Sequence, residues 1–293
     1  MSSFKAWIWA LRPKTLTASL VPVLVGSALP LVEGYEVNWR ISFYALASAL
    51  WIQIGTNLFN DVLDFKKGAD NEERLGPVRV TQSGLLSPRQ VMLGGILSFG
   101  FAIFFAIPLV LMAGQVILVI GVLSLLFGYL YTGGPFPLAY KGLGDLFVIL
   151  FFGLVAVGGV YFLQTGTFHE DALIAGFQTG FLCTVLIAIN NLRDIEQDRK
   201  VGKKTLAVRF GERFTKREIL FLYVFSFILL PYWWQRGVWA AALFPLASLP
   251  LVFSLLKSLW ATPPGVVYNQ FLAKASLIYL LFGGLLFSGF MIS

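Results

Sequence analysis

Apolar windows long enough to cross a bilayer recur along the whole chain, and no other feature narrows its possible folds as much. A spanning helix needs about 20 largely apolar residues, because hydrocarbon offers no partner for backbone N–H and C=O groups. Such windows lie near residues 15–33, 40–60, 91–112, 114–132, 146–163, 172–192, 219–234, 238–256 and 275–292. They predict an all-α integral membrane protein, with about nine transmembrane helices in one bundle and a single domain over residues 1–293. The separations at Ala113–Gly114 and Gln235–Gly237 are the narrowest, so eight and ten helices are the neighbouring counts. A chain that is 57% hydrophobic and 13% charged, with a mean hydropathy of +0.78, is not an ordinary soluble domain. The first window is followed by others, so it reads as the first span rather than as a cleaved signal peptide.

Charge orients the bundle. With nine spans, 20 of the 22 Lys and Arg fall on the side of the N-terminus, and only Arg40 and Arg236 on the other. The positive-inside rule makes the first side cytoplasmic. The expected location is therefore the cytoplasmic (inner) membrane, multi-pass, with the N-terminus inside. The same bias accounts for the net charge of +7 without any nucleic-acid partner. Cys183 is the single cysteine and lies in an apolar window, so it forms no intrachain disulfide and reads as a small core residue. His169, in a short polar loop, reads as a solvated side chain.

Four of the 15 acidic residues, Glu33, Glu36, Glu170 and Asp171, fall in outer loops. The others are cytoplasmic, and two groups of them share one plan. The first, in the stretch NLFNDVLD, consists of Asn57, Asp61 and Asp64, with Asn60 beside them. The second consists of Asn190, Asp194 and Asp198. The two leading asparagines are 133 residues apart, close to half the chain, which suggests a faint repeat of a four-helix unit. On a helix, positions i, i+4 and i+7 or i+8 share a face, so each group aims an amide and two carboxylates the same way. Like charges so placed repel, and a hard cation turns that repulsion into coordination. Carboxylate and amide oxygens suit Mg²⁺, which shares its shell with substrate phosphates. Two such groups facing each other could hold two or more Mg²⁺ ions around one diphosphate. The simpler reading, solvated charges at helix ends, has to hold twice and is disfavoured at helix C-termini by the dipole.

Basic residues flank both groups. Lys66, Lys67, Arg74 and Arg79 follow the first, and Arg193, Arg199, Lys200, Lys203 and Lys204 surround the second. They are candidates to clamp phosphate oxygens, although each also satisfies the positive-inside bias. The run Gly202-Lys-Lys-Thr205 is not a P-loop, because Gln197 stands where that motif needs its first glycine and no strand precedes it.

These motifs resemble the UbiA-type intramembrane aromatic prenyltransferases, and within them the branch that prenylates 1,4-dihydroxy-2-naphthoate in menaquinone synthesis. The segments that carry the likeness are LRPKTLTASLVPVLVGSAL, NLFNDVLDFKKGAD, RLGPVRVTQSGLLSP, YTGGPFPLAYKGLGD and NNLRDIEQDRKVGKKTLAVRFG, covering most of residues 11–212. Many relatives place a third Asp four residues after the second in the first motif. Gly68 stands there in this chain and the next acid is Asp70, a form common in the naphthoate branch.

The resemblance implies a nine-helix bundle with its active site at the cytoplasmic end and the acidic motifs on its second and sixth helices. The reaction it implies joins a polyprenyl diphosphate to an aromatic acid acceptor, 1,4-dihydroxy-2-naphthoate, with loss of CO₂ and diphosphate. Mg²⁺ would sit on Asn57, Asp61, Asp64, Asn190, Asp194 and Asp198. Diphosphate would meet Asn57, Asn60, Lys66, Lys67, Arg74, Arg79, Asn190, Arg193, Lys203 and Lys204. The acceptor would lie near Tyr131, Tyr140, Lys141 and Asp145, with Lys141 pairing its carboxylate or phenolate or, more simply, anchoring the interface as snorkelling lysines do. Loops 65–90, 133–145 and 193–218 would form a cap. Other acceptors, such as 4-hydroxybenzoate, form the alternative within the family. An ion-coupled transporter is the alternative outside it, but transporters keep their acidic sites near the midplane, and both groups here close their spans at one end.

Overall fold

The computed structural model describes residues 3–71 and 74–292. Helix α1 (Ser3–Leu11) precedes α2 (Thr17–Ala28), and the two segments meet at a bend of 48°. There follow α3 (Trp39–Lys66), α4 (Pro88–Ala113), α5 (Gln115–Leu130), α6 (Gly144–Thr165) and α7 (Glu170–Arg193). Two short helices, α8 (Ile195–Lys200) and α9 (Leu206–Phe210), lead to α10 (Glu212–Ile228) and α11 (Leu230–Gln235). The chain ends with α12 (Trp239–Ala261) and α13 (Tyr268–Met291). No strand occurs among the described residues.

Every apolar window of the sequence is helical, but the windows are not equal as spans. Helices α4, α6, α7, α12 and α13 are each long and apolar enough to cross a membrane, and the bent α1–α2 pair counted as one span makes six. Helix α5 has 16 residues, about 24 Å of rise, against a hydrocarbon core of about 30 Å. Helix α10, with 17, runs on almost directly into α11. Helix α3 has 28 residues, about 42 Å, and carries Gln53, Thr56 and Asn57 in its second half.

Local sequence sets the boundaries. Ser87 and Gln90 form a capping box at the start of α4, with Pro88 at the first helical position. Gly114 alone separates α4 from α5, at φ 69° and ψ −145°, and Gly237 turns the chain at φ 78° before α12. Both lie in the region open to glycine, which is why the two narrow separations are real breaks.

Helices approach closely where side chains are absent. A Cβ on Gly55 of α3 would lie 2.4 Å from the Phe99 ring of α4. One on Gly153 would lie 2.4 Å from the carbonyl oxygen of Gly176, so α6 and α7 touch backbone to backbone. Gly153 sits in a π-helical segment, Ile149–Val155, within α6. The main core joins α2, α6, α7, α10, α11, α12 and α13 around Tyr161, Leu182, Trp233 and Phe282. Leu97, Phe104 and Leu111 of α4 remain exposed, as a lipid-facing surface requires.

Between α2 and α3, at the start of α7 and after α11, Glu33, His169, Asp171 and Arg236 form an ionic clamp. Arg236 donates to both Asp171 oxygens at 3.0 and 2.9 Å, and Tyr161 donates to Glu33 at 2.6 Å. His169 is not the freely solvated side chain the sequence suggests. Its Nδ1 accepts the Asp171 N–H at 3.2 Å, capping α7, and its Nε2 lies 3.0 Å from Glu33. The carboxylates are taken by protein donors, so this group works as a structural clamp.

Candidate active site

The two acidic groups meet at the opposite end from that clamp. Asn57, Asp61 and Asp64 lie on one face of the continuous α3 and are all buried. The second group departs from the expected single helix. Helix α7 ends at Arg193, Asp194 caps it at φ −96° and ψ 12°, and α8 begins afterwards. One turn survives the break, because the Asp194 carbonyl accepts the Asp198 N–H at 2.8 Å. Asp194 and Asp198 therefore still project together, both buried.

Tyr140 connects the groups. Its hydroxyl donates to Asp64 Oδ1 at 2.8 Å, while Lys67 Nζ lies 4.4 Å and Lys203 Nζ 5.9 Å from its ring centre. Lys203 in turn pairs with Asp198 at 3.3 Å. Burial, helped by the Asp64 carboxylate, holds the Tyr140 phenol far above its usual range, so Tyr140 is a neutral donor. Burial acts to lower the Lys203 ammonium, but Asp198, Asp64 and Asp194 outweigh it and hold its pKa above the ordinary value.

Cations surround the first group. Arg79 lies 3.7 Å from Asp64 and 3.0 Å from Asp70, and Arg74 also pairs with Asp70. Asp70 is thus the holder of two arginines. Asp61 Oδ1 accepts the Thr81 N–H at 3.0 Å, and its other oxygen faces Arg12 at 3.9 Å. Lys67 donates to the Thr132 carbonyl, and the Thr132 hydroxyl donates to Asn60. Asn57 donates to the Leu11 carbonyl at 3.3 Å and to the Thr15 hydroxyl at 2.9 Å.

Arg193 is committed inward. It is 2% exposed and donates to Asp194 at 2.8 and 2.6 Å, to Asn190 at 2.7 Å and to Asn269 at 2.7 Å. A phosphate clamp there would have to break those bonds. Lys66, Lys141 and Lys204 are exposed, and none of their ammonium groups contacts the four aspartates. Lys141 Nζ sits instead 5.2 Å from the Phe136 ring centre. Tyr131 closes α5 and brings its hydroxyl to Gly144 at the start of α6, next to Asp145, whose Oδ1 is buried without a hydrogen-bond partner.

Three loops join around these residues. Asn269 donates to the Leu75 carbonyl at 2.9 Å, Lys204 N–H to Tyr140 at 3.1 Å and Arg209 to Lys141 at 2.9 Å. Sequence reasoning did not single out Arg12, Thr15, Thr81, Thr132 or Asn269 for the site. Arg12 does carry a signal, in the LRPKT run quoted above. It is the one non-glycine residue with positive φ among those described, at 51°, and such strain collects at functional sites.

Below the acids lies an apolar cavity of about 200 Å³, reaching from Gln53, Thr56 and Tyr131 down to Leu109, Ile117 and Leu163. The donor set above it fits a hard cation. Asp198 Oδ2 is buried without a hydrogen-bond partner, and burial pushes the Asp198 carboxyl up to about 6 against the pull of Lys203. A divalent ion held there by Asp194 and Asp198 would relieve both. Arg79 Nη1 and Arg12 Nη2 are buried without a hydrogen-bond partner too, Arg12 Nη2 having only the Asp61 carboxylate at 3.9 Å, which suits an anion carried with the metal.

A helical membrane bundle with two acidic groups and a ring of cations over an apolar cavity defines a membrane-embedded enzyme of anionic, long-tailed substrates. The chain belongs to the UbiA prenyltransferase family, whose model matches residues 19–278. It is 39% identical over 223 residues to the 1,4-dihydroxy-2-naphthoate octaprenyltransferase of Haemophilus influenzae, covering 71% of this chain and 70% of that one. The Escherichia coli protein of the same name is 36% identical over 218 residues, covering 72% and 70%. Among solved structures, a UbiA homolog from Archaeoglobus fulgidus bound to GPP and Mg²⁺ matches with TM-score 0.71 at 17% identity, covering 98% of this chain and 99% of that one. A homolog from Aeropyrum pernix matches with TM-score 0.72 at 15% identity, covering 96% and 98%. At those identities the structures speak to the fold.

Proposed function

We propose that this protein transfers a polyprenyl group from polyprenyl diphosphate to 1,4-dihydroxy-2-naphthoate, releasing CO₂ and diphosphate and giving demethylmenaquinol, the reduced form of demethylmenaquinone. The observation that carries the reading is the single site in which Tyr140 and Lys203 join both acidic groups directly above the apolar cavity. The relatives' shared name supplies the acceptor.

Diphosphate leaves poorly until its charge is neutralised. Asp61, Asp64, Asp194 and Asp198, with Asn57 and Asn190, would hold two or more Mg²⁺ ions, whose chemistry is to offset the charge developing on the leaving oxygens. Arg12, Arg79 and Lys203 add hydrogen bonds to the phosphate. The isoprenoid tail lies in the cavity, where dry walls and aromatic faces, Phe147 and Phe151 among them, shelter the allylic cation from water. Tyr131, Asp145 and the 133–145 loop stand on the acceptor side. Loops 65–90, 133–145 and 193–218 form the cap, and the nine helical windows form nine spans with this end in the cytoplasm.

Orientation is testable by cysteine labelling. In a Cys183→Ala background, single cysteines at positions 75, 137 and 204 are expected to react only after the membrane is opened. Labelling of 75 or 204 from outside intact cells would reverse the topology and the mechanism with it.

The reaction is tested with purified protein, Mg²⁺, radiolabelled prenyl diphosphate and a panel of aromatic acceptors. Attack at the carbon bearing the carboxylate restores aromaticity by losing CO₂, so one CO₂ is expected per diphosphate. Retention of a labelled carboxyl carbon in the product, or preference for 4-hydroxybenzoate under matched conditions, would move the protein to another acceptor while leaving the metal chemistry in place.

A further inference from the structure

The cavity changes character along its length. Near the acids it is bounded by Gln53, Thr56 and Tyr131, and at its far end by the buried side chains Leu109, Ile117, Val160 and Leu163. Between the two ends, Gly121 of α5 and Gly159 of α6 line it. A Cβ at Gly121 would meet nothing within 4 Å, and one at Gly159 only the Ile120 side chain, at 3.6 Å. Gly128, two turns nearer the acids on α5, differs, because its Cβ would meet the Thr56 hydroxyl at 2.7 Å. The missing side chains at 121 and 159, about one turn from Ile117 and Leu163, therefore open the cavity just above its floor, whereas the one at 128 only lets helices approach.

We propose that Gly121 and Gly159 set the length of prenyl chain this protein accepts, by keeping open the passage between the reacting end of the cavity and its floor. The proposal rests on the prenyl-donor reading above. Gly121 is ten residues from Tyr131 along α5, about 15 Å of helix rise, which matches roughly three extended isoprene units of about 5 Å each. A donor of two units ends before this level, and a donor of eight has to pass it. A side chain at either glycine leaves the short donor untouched and collides with the long one. Replacing glycine inside a helix also raises helix propensity, and the open space spares the packed core.

The test assays Gly121→Phe and Gly159→Phe with geranyl diphosphate (two units) and octaprenyl diphosphate (eight units), using one fixed aromatic acceptor. Gly100→Phe is the control. Gly100 lies exposed on α4, away from the cavity, and a Cβ there also meets nothing within 4 Å. Both cavity variants should lose kcat/KM for octaprenyl diphosphate by at least ~10-fold relative to geranyl diphosphate, the scale on which apolar pockets discriminate added methylenes. Octaprenyl diphosphate should also stop competing for geranyl transfer in these variants, and Gly100→Phe should change neither donor's use. Unchanged octaprenyl use in both cavity variants would overturn the proposal and show that the tail leaves the bundle for lipid before this depth. If a phenylalanine abolishes the use of both donors, Gly121→Val and Gly159→Val replace it, and equal loss of the two donors there also overturns the proposal. A wild-type protein that uses neither donor would instead sink the donor reading, so the two failures are distinct.

Discussion

Asp61→Asn and Asp194→Asn are each expected to lower prenyl transfer by at least ~10²-fold, the cost of losing one preorganised electrostatic contact to a reacting group. Asparagine keeps the volume and one carbonyl oxygen, so the fold is expected to survive at Asp61, whereas at Asp194 the change also removes the charge paired with buried Arg193 and should lower the unfolding midpoint as well. Asp61 keeps an acceptor for the Thr81 N–H but loses the charge that faces Arg12. Asp194 loses a charge that lies within reach of Asp198 and Lys203, which its electrostatic influence on both groups registers. The two residues come from different halves of the chain, so equal sensitivity at both is what one shared metal–diphosphate assembly requires. The measurement is single-turnover transfer across a Mg²⁺ titration. Full Mg²⁺-dependent activity in both variants would falsify the two-group site.

Arg193→Ala should destabilise the protein by about 3–5 kcal/mol, because removing one partner leaves a buried charge unpaired. Arg193 is 2% exposed and Asp194 6%, so solvent does little to soften that loss. The same guanidinium occupies both Asp194 oxygens and Asn190 Oδ1, the oxygens that the sequence assigns to Mg²⁺. It acts as a built-in cation for the second acidic group. Thermal unfolding in detergent, with and without Mg²⁺, separates its roles. The variant's midpoint should fall, and Mg²⁺ should then raise it more than it raises the wild type's, since the freed oxygens gain a new cation. A wild-type midpoint in Arg193→Ala would show that the buried pair contributes nothing. A lower midpoint that Mg²⁺ leaves unmoved would show that these oxygens do not take the metal.

Much of this protein was legible along the chain because a membrane imposes periodicity and composition directly. Hydrocarbon leaves helices as the one way for an isolated segment to satisfy its backbone, so the apolar windows marked the helices, and Gly114 and Gly237 marked the breaks between them. The acids of the first group could be placed on one face because α3 is continuous from Trp39 to Lys66. Helical spacing by itself failed at Asp194, where the helix ends and one hydrogen bond keeps the register.

The helical membrane class, the family and the two acidic groups are each written in spacings of a few residues along the chain. How the groups are served depends on the packing of the helices. It put Arg12 and Thr81 against Asp61, turned Arg193 inward to Asp194 and Asn269, left Lys141 and Lys204 outside, and brought Tyr140 and Lys203 between the halves. Apart from Arg193–Asp194 and Lys203–Asp198, those contacts join residues 20 to 76 positions apart. Their energy comes from burial and from pairing in a low dielectric, and neither is defined until the helices have packed.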